Sequence, residues 1–235
     1  MKIKIQQSDE RGHANLEWLN SYHSFSFGSW HDPAKMNFGA LRVLNDDSVD
    51  AGQGFGTHPH DNMEIVSIPL SGTIAHKDST GTDGLIKTGD VQIMSAGTGI
   101  RHSEFNPSKE EGLKFLQIWV MPKKRKIEPR YDQKSFKASD RQNKWQVVVS
   151  PDEKDEALWI NQDCVFSLAN ITAGNSLSYS CKFPGNGTYL FVIEGSVEIM
   201  GQSLQKRDAA GISDADSFEV KANEDSYVLC IEVPM

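Results

Sequence analysis

Short runs of β-branched and aromatic residues recur at close intervals along almost the whole chain, and this pattern constrains the fold more than any other feature. The runs are separated by Gly, Asn, Asp or Pro, and helical periodicity between them is scarce. Closely spaced strands of this kind favour an all-β sandwich or barrel over a parallel α/β sheet. The predicted strands cover residues 38–44, 63–70, 72–77, 89–94, 114–121, 146–150, 164–171, 176–183, 189–200, 217–221 and 227–233.

Two features divide the chain into similar halves. Segment 122–144 is polar, begins at a proline and carries a cluster of Lys and Arg, which is typical of a solvated connection. An apolar run that leads into a glycine hairpin occurs once at Gly72 and again at Gly195. A repeated β unit on either side of a polar connection fits a duplicated barrel.

The composition excludes several classes of protein. The 32 acidic residues outnumber the 24 Lys and Arg residues, and the net charge of −8 disfavours direct nucleic-acid binding. No apolar run approaches the ~18–20 residues that a membrane-spanning helix needs, and the first residues lack the apolar core of a signal peptide. The three widely spaced cysteines, Cys164, Cys181 and Cys230, are typical of buried thiols in a reducing compartment. We therefore expect a cytoplasmic protein without membrane contact.

The histidines are confined to one part of the chain, because all seven lie at or before His102. His58 and His60 are two residues apart, as are His102 and Glu104, and residues at this spacing point to the same face of a strand. Two such pairs could meet inside a barrel. Three imidazoles and one carboxylate suit a mononuclear divalent transition metal and leave coordination positions open, as a catalytic metal requires.

The motifs around these residues resemble those of the cupin proteins. The spacing of Gly52, His58, His60, Glu64 and Gly72 is similar to the first cupin motif, and segment 89–106 is similar to the second. Four residues separate Gly97 from His102, where the general cupin pattern has two, and this spacing resembles the pirin family in particular. The specific likeness covers about the first 130 residues, and the remainder resembles a degenerate second cupin.

The resemblance implies a bicupin fold: two cupin domains, each a jelly-roll β-barrel. Residues 1–130 would form the metal-binding domain, and residues 131–235 a degenerate cupin without a metal site. With no histidine after position 102, the second half lacks the residues to repeat the site.

The resemblance also implies the site residues. The family's metal ligands fall on His58, His60, His102 and Glu104. Glu64 occupies a carboxylate position that is a ligand in many other cupins but not, as a rule, in pirins, so we expect it beside the ligands, holding an imidazole. The alternative that Glu64, and not Glu104, is the carboxylate ligand stays open. Iron is the expected metal, with zinc, nickel, cobalt, manganese and copper as alternatives.

Similarity to bacterial pirin-like quercetin 2,3-dioxygenases implies the activity. Such an enzyme uses dioxygen to open the heterocycle of a flavonol with loss of carbon monoxide, and Glu104 or Glu64 would be the proton acceptor. The alternative is a metal-containing regulatory protein that acts through a protein partner, and a third possibility is another cupin reaction, such as an isomerisation or a decarboxylation. The aromatic segment 25–30 is predicted to pack against the barrel end rather than bind substrate, and the sequence leaves open whether His76 lines the barrel or faces solvent.

Overall fold

The computed structural model describes the whole chain, from Met1 to Met235, and its regular structure is almost entirely β. Strands of the first half are β1 (Lys2–Gln6), β2 (Gly12–Asn15), β3 (Leu19–His23), β4 (Leu41–Val49), β5 (Gly54–His60), β6 (Glu64–Ser71), β7 (Thr73–Asp78), β8 (Asp83–Lys87), β9 (Asp90–Ser95), β10 (Ile100–Phe105), β11 (Leu113–Val120) and β12 (Arg130–Ser135). Strands of the second half are β13 (Gln146–Ser150), β14 (Leu158–Trp159), β15 (Val165–Ile171), β16 (Ser176–Ser180), β17 (Asn186–Glu194), β18 (Val197–Ile199), β19 (Gln202–Leu204), β20 (Ala209–Ser213), β21 (Ser217–Ala222) and β22 (Ser226–Pro234).

Helical structure is limited to three short 3₁₀ turns, and none has the length or apolar composition to cross a membrane. These turns are Ser8–Glu10, Ala138–Arg141 and Glu153–Asp155.

The strands form two pairs of sheets, and each pair has one sheet of seven strands and one of four. The first pair has the orders β12-β9-β6-β11-β4-β3-β2 and β5-β10-β7-β8. The second pair has the orders β1-β20-β17-β22-β15-β13-β14 and β16-β21-β18-β19. The two pairs of sheets have equivalent strand orders. In the seven-stranded sheets, the first five strands, β12-β9-β6-β11-β4, correspond to β1-β20-β17-β22-β15. In the four-stranded sheets, β5-β10-β7-β8 correspond to β16-β21-β18-β19. The all-β fold and its duplication are thus as predicted.

A thick apolar layer lies between the two seven-stranded sheets. Alternate residues of β6 and β11 project into it from the first half, and residues of β15, β17 and β22 meet them from the second. It is the largest hydrophobic cluster of the protein, with 25 buried residues. Because each of these sheets is covered on both faces, their central strands consist of nearly continuous hydrophobic runs. Members of the layer include Val66, Ile68, Leu116, Ile118, Phe166, Phe191 and Leu229.

Two edge strands cross the predicted boundary between the halves. Strand β1 pairs with β20, so the N-terminal residues belong to the second sheet. Strand β12, inside the predicted connection 122–144, pairs with β9 along the edge of the first sheet. The sheets therefore do not follow the predicted division between residues 130 and 131. Strand β12 lacks an alternating pattern because an exposed edge strand needs only its main-chain hydrogen bonds.

The predicted strand 189–200 is divided in the structure into β17 and β18 by a hairpin at Gly195. This residue has φ of 84°, and a Cβ atom at its position would lie 2.5 Å from the Asp225 carbonyl oxygen. Gly72 occupies the equivalent hairpin between β6 and β7, also with φ of 84°. Glycine tolerates this left-handed conformation without steric cost.

The interior of the second barrel is filled with apolar side chains. Strands β16, β21 and β18 take the places that β5, β10 and β7 occupy in the first barrel. They direct Tyr179, Phe218, Val220 and Val197 into a cluster of 15 buried residues. The second half therefore contributes packing where the first half carries histidines.

The apolar layer predicts the effect of a truncation on stability. Phe166 is fully buried within the layer, so Phe166→Ala should lower the free energy of unfolding by about 3–5 kcal/mol through lost burial and the resulting cavity. Urea denaturation followed by fluorescence measures this quantity. Phe105→Ala, at a side chain that is 39% exposed, is the matched control and should cost far less. Equal losses in the two variants would contradict the assignment of the layer as the main core.

Candidate metal centre

Three adjacent strands of the first barrel, β5, β10 and β7, carry the site on one face. In the antiparallel register, His102 on β10 lies opposite His58 on β5 and opposite Asp78 on β7. Glu104 lies opposite His76 in the next row. Because residues two apart share a face, each of the three strands directs a pair of side chains towards the same region of the barrel.

The three predicted histidines form a compact cluster. The ring centroids of His58 and His102 are 4.5 Å apart, those of His58 and His60 are 4.8 Å apart, and those of His60 and His102 are 4.9 Å apart. One ring nitrogen from each residue lies within 4.8 Å of the others. The structure thus brings together the three imidazoles that strand alternation predicted.

The surroundings of two of the rings fit metal binding. His58 Nδ1 lies 2.8 Å from the Gly56 carbonyl oxygen, which can only accept a hydrogen bond. Nδ1 therefore donates this hydrogen bond, and Nε2 is the nitrogen that is left to bind a metal. His102 is buried, and neither of its ring nitrogens has a hydrogen-bond partner. An unpartnered buried polar atom costs about 1–3 kcal/mol, and a metal ion would satisfy one of the two nitrogens.

Burial keeps the imidazoles of His60 and His102 neutral. It lowers the pKa of His102 to about 3, and the neighbouring His58 and His60 lower it further in the same direction. Burial together with His58 lowers the pKa of His60 to about 4. At neutral pH both rings are therefore unprotonated on one nitrogen, which is the form that binds a metal.

Glu104 lies beside the histidine cluster but outside the compact set of three. Its carboxylate is buried and accepts hydrogen bonds from Ser67 Oγ at 3.2 Å and Gln117 Nε2 at 2.8 Å. Burial raises its pKa to about 7, and the two hydrogen bonds oppose this only in part. One carboxylate oxygen lies within 4.8 Å of ring nitrogens of His102 and His76. Glu104 as the fourth ligand stays a prediction.

The position of Glu64 does not support a role as a ligand or as a support for an imidazole. Its Oε2 atom accepts hydrogen bonds from Ser95 Oγ at 2.7 Å and from the amide of Asn161 at 3.1 Å. Glu64 shares its face of β6 with Val66, which belongs to the apolar layer between the sheets. The side chain thus points away from the barrel interior and connects the two halves, and the expectation that it lies beside the ligands is corrected.

His76 and Asp78 belong to the site, although the sequence left His76 open and did not single out Asp78. Both side chains are fully buried, and His76 Nε2 lies 3.0 Å from Asp78 Oδ2. The ring centroids of His76 and His102 are 5.3 Å apart. A signal was available, because His76 and Asp78 have the same two-residue spacing as the other pairs and follow the Gly72 hairpin.

A cavity of about 270 Å³ opens beside the histidines. Leu19, Phe27, Phe55 and Trp119 line one part of it, and the rings of Phe27 and Trp119 meet edge to face at 5.3 Å. Phe27, from segment 25–30, thus lines the cavity, and the prediction that this segment packs against the barrel end rather than binding substrate stays a prediction. Trp119 also lies 4.9 Å from His60, measured between ring centroids.

Polar side chains also line the cavity. Ser21, His23, Asn45, Asp47 and Gln117 contribute to it, and the Ser21 hydroxyl donates a hydrogen bond to the Asp47 carboxylate. Burial raises the pKa of Asp47 to about 7. The cavity therefore joins flat apolar surfaces to hydrogen-bonding groups next to the cluster, a combination typical of small-molecule sites.

A larger crevice of about 790 Å³ lies elsewhere, between the two halves of the chain. It is lined mostly by polar and charged side chains, including Arg11, Asp46 and Arg207, and contains none of the predicted site residues. Asp46 forms an ion pair with Arg207, with 3.0 Å between Oδ2 and Nε. We therefore assign the chemistry to the smaller cavity, which His58, His60 and Glu104 line.

Two family models match the chain. The pirin model matches residues 4–120, and the model of the quercetinase C-terminal cupin domain matches residues 147–233. These matches agree with the predicted cupin character of both halves.

Relatives match over nearly the full length. The chain is 44% identical to a protein named quercetin 2,3-dioxygenase from Escherichia coli strain K12, over 99% of both chains. It is 42% identical to a putative quercetin 2,3-dioxygenase of Pseudomonas aeruginosa, over 98% of this chain and 99% of the other. The crystal structure of the bacterial pirin YhhW from Escherichia coli in complex with nickel(II) is similar with a TM-score of 0.94 and 42% identity, and the match covers 99% of each chain.

The buried carboxyl of Glu104 predicts a pH dependence of stability in the metal-free protein. The pKa of this group is 4.5 without perturbation and about 7 in the folded chain, so between these values the folded state binds more protons than the unfolded state. Its contribution to stability is therefore present below pH 4.5 and is lost as the pH rises to 7.

We expect the free energy of unfolding of the wild type, relative to Glu104→Gln, to fall by up to about 3 kcal/mol across this window. Urea denaturation at a series of pH values, with a chelator present, measures the difference. A difference that stays constant from pH 4.5 to 7 would show that Glu104 titrates normally.

Proposed function

The chain belongs to the pirin family, and from this we propose that it is a metal-dependent oxidoreductase that opens the heterocycle of a flavonol such as quercetin with dioxygen. The observation that carries the proposal is the cluster of His58, His60 and His102 beside a cavity with flat apolar walls. The names of the full-length relatives from Escherichia coli and Pseudomonas aeruginosa support the reaction type.

His58, His60, His102 and Glu104 would hold one divalent transition metal. Neutral imidazoles with a carboxylate suit iron, zinc, nickel, cobalt, manganese or copper, and the related YhhW structure contains nickel(II). We keep iron as the expected metal. When bound, the ion would act as a Lewis acid that lowers the pKa of a flavonol hydroxyl.

Glu104 is the proposed proton acceptor. It lines the cavity beside His58 and His60, so a hydroxyl group of a substrate in the cavity could lie within its reach. Gln117 and Ser67 hold the carboxylate in place through hydrogen bonds to its two oxygens. The carboxylate could accept the proton of the flavonol 3-hydroxyl at Oε1 or Oε2.

The cavity would hold the flavonol by shape and by hydrogen bonds. Phe27 and Trp119 offer aromatic surfaces against which a planar ring system can pack. Asp47 and Asn45, which also line the cavity, can form hydrogen bonds with the substrate's hydroxyl groups. A ligand that fills the cavity also displaces water from Glu104.

The overall reaction balances without another reductant. One flavonol and one dioxygen give a ring-opened ester and one carbon monoxide, and both oxygen atoms of dioxygen remain in the products. The electrons come from the flavonol itself, so no further cofactor is needed.

Metal content tests the ligand assignment. Purified protein should contain close to one divalent metal per chain by elemental analysis, and His58→Ala with His102→Ala should abolish this content because two of three clustered imidazoles are lost. His31→Ala, at an exposed histidine, is the matched control and should keep the metal. Full metal content in the double variant would overturn the site.

Flavonol turnover tests the activity. In air, metal-replete protein should cause loss of quercetin absorbance and release carbon monoxide in equal amounts, and it should do neither without oxygen. The double variant at His58 and His102 should be inactive, whereas His31→Ala should behave as the wild type. If metal-replete protein leaves quercetin unchanged, the dioxygenase proposal fails, and the alternative of a regulatory protein with a protein partner is favoured.

A further inference from the structure

The pair His76 and Asp78 on β7 has no role in the proposed reaction, yet it is buried against the metal centre. Asp78 is held firmly, because its Oδ1 atom accepts hydrogen bonds from the Thr80 amide at 2.8 Å, the Thr80 hydroxyl at 2.6 Å and the Thr82 amide at 3.2 Å. Its other oxygen, Oδ2, faces His76 Nε2 at 3.0 Å. Such a fully bonded carboxylate fixes the orientation of the imidazole that it contacts.

This contact also fixes the tautomer of His76. An ionised carboxylate can only accept hydrogen bonds, so the proton of the neutral imidazole lies on Nε2. Nδ1 then carries a bare lone pair, and it is buried without a hydrogen-bond partner. The His76 ring also packs against the ring of Tyr131 of β12, with 4.7 Å between the ring centroids.

His102 requires a partner of this kind. A neutral imidazole that binds a metal through one nitrogen carries a proton on the other, and that N–H needs an acceptor. Both nitrogens of His102 are buried and lack partners. A ring nitrogen of His102 lies within 4.8 Å of a ring nitrogen of His76, and the two ring centroids are 5.3 Å apart, so His76 is the neighbouring imidazole within reach of His102 when the rings rotate.

We propose that His76 is a positioning residue of the metal centre, whose Nδ1 accepts a hydrogen bond from the non-ligating N–H of His102, while Asp78 sets the tautomer that makes this possible. This inference rests on the proposed metal site and adds to it a chain from carboxylate to imidazole to ligand. The chain orients the ring of His102 and makes its ligating nitrogen more basic.

Asp78→Asn gives a sharp test, because the amide has only one orientation that keeps the existing bonds. Its oxygen must take the place of Oδ1, where three donors converge, so its NH₂ group faces His76 Nε2. That group donates, which moves the proton of His76 to Nδ1. Nδ1 can then no longer accept from His102.

The experiment has two readouts. In metal-free protein with ¹⁵N-labelled histidine, NMR should show the proton of His76 on Nε2 in the wild type and on Nδ1 in Asp78→Asn. In competition titrations with a chelator, the affinity for nickel(II) should fall about 10- to 100-fold in Asp78→Asn and in His76→Phe. Lys77→Gln, on the same strand with its side chain exposed, is the control and should bind as the wild type.

The outcomes separate the two proposals. If the wild type binds nickel(II) at the predicted histidines but both variants bind it equally well, the role of His76 is wrong while the metal site stands. A proton on Nδ1 of His76 in the wild type would also overturn it. If the double variant at His58 and His102 keeps its metal, the metal site itself fails, and the role of His76 fails with it.

Discussion

Hydrophobic burial between the two seven-stranded sheets is the interaction on which the rest of the structure depends. A barrel interior that carries imidazoles and carboxylates is costly, because each group loses its hydration and only some of them find hydrogen-bond partners. The apolar clusters of the first barrel itself are small, with six and four buried residues. The layer between the two seven-stranded sheets has 25 buried residues, and the burial of their apolar surface helps to offset the cost of the polar interior.

The duplicated fold allows the two halves to have different roles. Both halves have the same strand order, but the strands that carry histidines in the first barrel carry Tyr179, Phe218 and Val197 in the second. The second barrel thus acts as a stable partner whose sheet covers the back of the site. Glu64 marks this contact, since its carboxylate binds the main chain of Asn161 from the other half.

The sequence predicted those parts of the site that depend on strand alternation alone. The pairs at His58 and His102 lie on one face as two-residue spacing requires. Glu64 could not be placed in this way, because β6 is buried on both faces and its pattern does not distinguish them. The partners of strands β1 and β12 were beyond prediction, because their register depends on main-chain hydrogen bonds to residues far along the chain.

The central claim is that the three histidines and Glu104 bind one metal ion between β5 and β10. Anomalous X-ray diffraction at the absorption edge of nickel, on crystals grown with nickel(II), tests it most directly. The account predicts a single strong peak within bonding distance of His58, His60 and His102, with Glu104 turned towards it. A peak elsewhere, or none at these residues in a crystal that contains the metal, would contradict it.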